Sequence, residues 1–190
     1  MRVSTPQKMA LLSMLLTLGL CLSQGVNANG FHINAVSAER QEDVYYLEAD
    51  IHYALSDDVR EALFNGVSLE FEIDAKVIRL RPWLWNETIL SKQRRYALRY
   101  RALSKYYQVI DLSSDETTHF KTLPRALEML GQVSHWPLVH VDQLTHKELY
   151  QIKVRCRLDV GALPPPLQSS SLFSSDWQLT SDWFVWRLNY

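Results

Sequence analysis

Tyr150-Gln-Ile-Lys-Val-Arg-Cys-Arg-Leu-Asp-Val160 is the stretch that decides the fold. Tyr150, Ile152, Val154, Cys156, Leu158 and Val160 alternate with Gln151, Lys153, Arg155, Arg157 and Asp159, the period-two pattern of a strand with one buried face. Cys156 falls on the apolar face and so belongs in the core. The same period runs through Tyr45 to Leu55, and from Val67 to Val77. There the apolar register shifts to Ile78 and Leu80, which predicts a bulge near Val77-Ile78. Weaker strands are expected near 31 to 38, 94 to 102, 105 to 111 and 136 to 141, with a last one over Trp183 to Leu188, for seven or eight in all.

Two short helices interrupt the strands. Over 57 to 65, Ser56 is placed to cap, Asp57 and Asp58 complement the dipole, and Gly66 can end the helix left-handed. Over 123 to 130, Leu123, Ala126, Leu127 and Leu130 share one face, with Thr122 as cap, Pro124 in the first turn and Gly131 just past the end. Pro164-Pro165-Pro166 and the serines up to Ser175 read as a crossing loop of extended polyproline character. These elements define a mainly β chain, an antiparallel two-sheet β-sandwich with two short helices. An immunoglobulin-like topology is one form of it, and a single α+β sheet backed by both helices is the alternative.

The first 28 residues carry an address. Arg2 and Lys8 precede the uncharged stretch Met9 to Leu22, and Val26-Asn27-Ala28 offers short residues for cleavage after Ala28. The chain is therefore expected to be a signal peptide, 1–28, followed by one β-rich domain, 29–190, in the periplasm. A retained inner-membrane anchor through residues 9–22 is the alternative. That stretch falls short of the ~20 apolar residues a spanning helix needs. Leu20 before Cys21 argues against lipidation, which wants a small residue there.

Charge narrows the function classes. The chain has 20 basic and 21 acidic residues, and removing Arg2 and Lys8 leaves a mature part with charge −3. Without a basic excess, nucleic acid is not an expected partner. Only Cys156 remains after cleavage, so no internal disulfide can form.

Several separate blocks resemble an uncharacterised family of exported bacterial proteins, domain of unknown function 4390. They are Gly66 before an acidic strand, Arg79-Leu-Arg-Pro-Trp-Leu-Trp85, Leu98-Arg-Tyr-Arg-Ala-Leu103 with Tyr107, and Phe120 with Leu123 and Ala126. Later come Trp136-Pro137, Arg155-Cys-Arg-Leu-Asp159, Leu163-Pro164, Pro166-Leu167, and Trp177 with Ser181-Asp182-Trp183-Phe184. The resemblance implies an exported domain without assigned activity, encoded near a sensor kinase of the nitrogen-regulation type. It carries no catalytic residues to transfer. Leu84 between Trp83 and Trp85 departs from the family's usual Trp-rich block.

Five constellations could carry function. Arg79, Arg81, Trp83 and Trp85 lie two apart, so a continuing strand would set guanidiniums over indoles; if Pro82 ends the strand, the rings cap the core. Arg95, Arg99 and Arg101 share a strand face that can pair with Glu70, Glu72 and Asp74, or receive an anionic partner. His135, His140, Asp142 and His146 have metal-ligand chemistry in no established spacing. Asp50 and His52 share a strand face without a nucleophile motif beside them. At the C-terminus, Trp177, Trp183, Phe184, Trp186 and Tyr190 suit a closing core layer, and Trp186 and Tyr190 a landing site if exposed.

The expected function is a non-catalytic periplasmic interaction or accessory module linked to envelope signalling beside a sensor kinase. Its partner-binding residues would be Arg79, Arg81, Trp83, Trp85, Trp186 and Tyr190. It needs no cofactor or metal, and its partner is an envelope protein such as a sensor-kinase ectodomain. Membrane association is expected only if the signal stays uncleaved. A lipid- or glycan-binding sandwich and a metal-dependent or other periplasmic hydrolase are the competing readings.

Overall fold

The alternation in residues 150 to 158 is realised as a strand paired on both sides, with Tyr150, Ile152, Val154, Cys156 and Leu158 buried. A computed structural model describes residues 30–171 and 174–188 of the chain. The signal-peptide reading of 1–28, and Tyr190, lie outside the described residues.

The elements run β1 (Phe31–Gln41), β2 (Val44–Tyr53), α1 (Asp57–Phe64), β3 (Leu69–Leu80), β4 (Glu87–Arg101), β5 (Tyr106–Asp111) and β6 (Thr117–Phe120). Then follow α2 (Leu123–Gly131), β7 (Gln132–His140), β8 (Leu149–Leu158), α3 (Pro165–Ser171) and β9 (Phe184–Leu188). They form two antiparallel sheets, one ordered β1-β2-β7 and one β6-β5-β4-β3-β8-β9. Inward side chains of both sheets fill one core: Phe31 of β1 and Tyr53 of β2 meet Phe71 of β3 at ring separations of 5.7 and 5.2 Å. The mainly β, two-sheet expectation holds, and the single α+β sheet does not.

Local signals act where elementary chemistry puts them. The Ser56 hydroxyl accepts from the Val59 N–H at 3.3 Å, and Gly66 turns the chain at φ 87°. The bulge falls between Val77 and Ile78, where Val77 faces Leu90 and Ile78 faces Thr88, so Ile89 is the extra residue. That bulge also explains why the early part of β4 was illegible: with Ile89 and Leu90 adjacent, the alternation breaks, and the strand begins at Glu87 rather than 94.

Other expectations need correction. Thr122 occupies the cap position of α2 but makes no side-chain cap hydrogen bond. Gly131 ends that helix for a different reason than helix termination: a Cβ there would run into the carbonyl oxygen of Ile51 on β2. Thr117-Thr-His-Phe120 has no apolar alternation, so the sequence does not announce β6; pairing with β5 holds it. Most of the expected polyproline loop is structured as the helix α3. Pro165 and Pro166 sit in its first turn, where a missing N–H costs nothing. Leu167 and Gln168 donate to the Pro164 carbonyl, and the Gln168 amide donates to the carbonyls of Gly161 and Leu163 at 2.7 Å each.

The molecule has two distinguishable ends. Phe31 faces Tyr53 where the chain enters β1. At the other end Leu80 faces Leu149 and Leu188 faces Tyr150. The turn between β1 and β2 joins this second end, since the Val141 N–H donates to the Asp43 carbonyl at 2.8 Å. The loop between β3 and β4 projects from the second end.

Candidate functional site

That loop carries Arg81-Pro-Trp-Leu-Trp-Asn86. Pro82 cannot donate to a ladder, so β3 stops at Leu80 and the chain turns back into β4. The turn is tied internally: the Arg81 N–H donates to the Asn86 side-chain oxygen at 3.2 Å, and the Leu84 N–H to the Arg81 carbonyl at 3.4 Å. Trp83 and Trp85 are each 95% exposed and Leu84 is 71% exposed. Leu149, facing Leu80 across the sheet, is 61% exposed.

Pro82 thus ends the strand as one reading of this block expects, but the rest of both readings is corrected. The rings do not cap the core, and Arg79 and Arg81 do not stack on them. Both guanidiniums instead bind the one carboxylate of Glu87, Arg79 through two nitrogens. Arg79 faces Glu87 across the bulge, which brings three charges to the root of the loop. The hydrogen bond from Arg79, opposed by burial and aided by the charges of both arginines, holds the Glu87 carboxyl below its ordinary range. The Arg79 guanidinium is correspondingly raised, first by its hydrogen bond to Glu87.

The C-terminal aromatics divide. Trp177 is buried. Trp186, opposite Ile152, is half-buried against the core. Phe184, Trp186 and Leu188 face inward, but no described residue covers the other side of β9, since Val185 is 51% exposed. Trp183 lies under two cations, Arg155 at 4.5 Å and Lys76 at 5.0 Å from its ring centre.

Around Trp183 the structure assembles a charged network that the sequence placed on the wrong strand. The alternation pattern predicts that Glu70, Glu72 and Asp74 meet Arg95, Arg99 and Arg101 of β4. Glu72 and Asp74 pair instead with β8: Arg157 binds Glu72 and, at 2.9 Å, Asp74, while Arg155 binds Asp74 at 3.2 Å. Among the described residues no ion pair joins Arg95, Arg99 or Arg101 to an acid. Arg99 donates to the Ser68 hydroxyl and Arg101 to the Gln108 side chain. The segment after α3 closes over the edge of this face: the Ser181 hydroxyl accepts from the Cys156 N–H, and Thr180 bridges to Arg157.

The histidines do not converge. His135, at φ 50°, stacks on Tyr46 at 4.1 Å, and the His140 backbone N–H donates to the Gln143 side chain. Among the described residues no three His, Cys, Asp or Glu side chains form a metal-ligand group. Cys156 is fully buried, and burial pushes its thiol up to about 11. Asp50 and His52 do share a groove of about 750 Å³, with Leu123, Leu127 and Phe64 among its apolar lining and Arg60 and Glu128 among its charged lining. Asp50 there accepts from Asn34 at 3.1 Å. Sequence reasoning did not find this groove, because its two sides come from α1 and α2, far apart in the chain. Tyr53 contributes to it, although its buried hydroxyl has no hydrogen-bond partner among the described residues.

Fold and site together define a two-sheet antiparallel β protein that displays an aromatic hairpin tip. The chain belongs to the family Domain of unknown function (DUF4390), whose model matches residues 28–187. No curated protein and no solved structure matches it.

Proposed function

We propose that this protein is a non-catalytic accessory module of the bacterial envelope, exported after cleavage at Ala28, whose working end is the Trp83-Leu84-Trp85 tip. The observation that carries the reading is the near-complete exposure of two indoles on one turn. Water gains nothing from large apolar rings on a surface, so such a cluster is a signature of contact with something else. A membrane-proximal sensor-kinase ectodomain is the protein partner this reading names.

The test is a photo-crosslinking residue placed at position 83 in cells, with position 103 on the opposite hairpin as control. Reproducible envelope adducts from 83, absent from 103, support the module. Equal labelling from both sites removes the tip as its working end.

A hydrolytic reading retains one favouring observation, the groove that joins Asp50 to His52. Its test is turnover of ester and peptide substrates by the native protein and by H52A. Turnover abolished by the substitution would establish it, and none in the native protein would dismiss it.

A further inference from the structure

We infer that the Trp83-Leu84-Trp85 tip seats in the polar–apolar boundary of a phospholipid bilayer, an inference that rests on the tip being the working end. Four observations favour lipid over a protein groove. The tip is small: two Trp and one Leu offer roughly 500 Å², against about 800 Å² per partner for a stable protein complex. It is convex, and its neighbour Leu149 extends the same exposed apolar end. A bilayer needs no matching shape. Indoles, with an apolar body and one N–H, concentrate where acyl chains meet headgroups.

The root of the loop suits that depth. Glu87 neutralises one of the two guanidiniums beside it, so Arg79, Arg81 and Glu87 together carry one positive charge just behind the rings. Backbone desolvation, the usual obstacle to inserting a turn, is reduced because Arg81 and Leu84 already donate within the loop.

The position of chain entry makes the inference specific to the processed protein. Phe31 begins β1 at the end opposite the tip. If residues 9–22 stayed in a bilayer, the eight residues from 23 to 30 would reach at most about 29 Å. The eleven-residue β1 spans roughly 37 Å. An anchored chain would therefore hold its tip away from that bilayer, whereas a cleaved chain is free to turn the tip towards it. A retained anchor therefore works against upright insertion of the tip on one membrane. With the tip in the headgroup layer, the uncovered side of β9 and the charged face of the larger sheet remain outside it, open to a membrane-proximal protein.

The experiment is co-flotation of the purified protein with vesicles of pure phosphatidylcholine, and of phosphatidylethanolamine with phosphatidylglycerol. The protein is expected to float with both, with a blue shift of tryptophan emission. Binding should change little between about 0.05 and about 0.5 M salt, because indole partition is not a charge effect. W83S/W85S should lose at least about tenfold in vesicle affinity while keeping its circular dichroism, and L103S should lose none. A folded native protein that stays off both vesicles, a double variant that floats as well as native, or binding abolished by salt would overturn the inference. If vesicles fail while position 83 still crosslinks reproducibly to one envelope protein, the lipid falls and the docking module stands. If both fail, the tip is not a working end.

Discussion

Trp177 and Trp83 are the same residue in the same chain, yet one is 6% exposed and the other 95%. Trp177 follows α3 and packs where that segment closes the core against α1, whose cap Ser56 donates its hydroxyl to the Asp176 carbonyl at 2.7 Å. Trp83 stands on a turn beyond the last residue of a ladder, with no element among the described residues covering it. Aromatic content therefore does not distinguish core from contact surface; the distinguishing feature is whether another element crosses the ring. The same contrast separates the charges. Glu72 and Asp74 are satisfied by two arginines on the neighbouring strand, whereas Arg81 and Glu87 sit half exposed at the foot of the tip.

The largest effect expected from this contrast is at Cys156. Buried in the larger sheet, its thiol should react with a disulfide reagent at pH 8 at least about 10³ times more slowly than in denaturant, because reaction awaits opening of the fold. The folded thiol binds its proton more tightly than the unfolded one. Its contribution to stability is therefore complete below the ordinary thiol range and is lost as pH rises towards about 11. Urea midpoints measured from pH 8 to 11 should fall, and a flat profile would contradict the buried placement. Next, Trp177→Ala should cost about 3–5 kcal/mol in urea unfolding, since it empties a core position. Glu72→Gln should cost about 1–2 kcal/mol, less than a deep ion pair would, because the Arg157 side chain is 36% exposed and water screens it. Smallest of all, Trp83→Ala and Trp85→Ala should each shift stability by no more than about 0.5 kcal/mol. A loss comparable to that of Trp177→Ala would mean that the tip is packed and would erase the comparison.

Much of the fold was legible because burial imposes short-range rules. Tyr150 to Leu158 alternates since one side meets oil and the other water, and Ser56 caps because helix amides need an acceptor within one turn. The bulge at Val77-Ile78 was visible as a break in that alternation. Features without local apolar contrast were hidden. Strand β6 depends on its pairing with β5 and on His119 meeting Gln108 and Tyr106 there, and α3 depends on Gln168 reaching carbonyls in the preceding turn. The candidate site is half legible: the sequence singles out Trp83 and Trp85 and has Pro82 end the strand, as it does, but the rings protrude instead of capping the core. Whether rings two apart stack, cap or protrude turns on where β3 ends and on what claims the arginines. Glu87 claims them from the far side of a bulge.

The sequence by itself determined that this chain is built from strands sharing an apolar interior, that Cys156 lies within it, and that two helices bracket known residues. It could do so because side-chain period and capping are properties of neighbours along the backbone. Tertiary structure alone decided that β8 rather than β4 answers the acids of β3, that Asp50 and His52 share a groove with two helices, and that Trp83 and Trp85 stand clear of the other described elements. Those outcomes depend on which strand lies beside which, and strand order is a property of the whole packed chain that no local window contains.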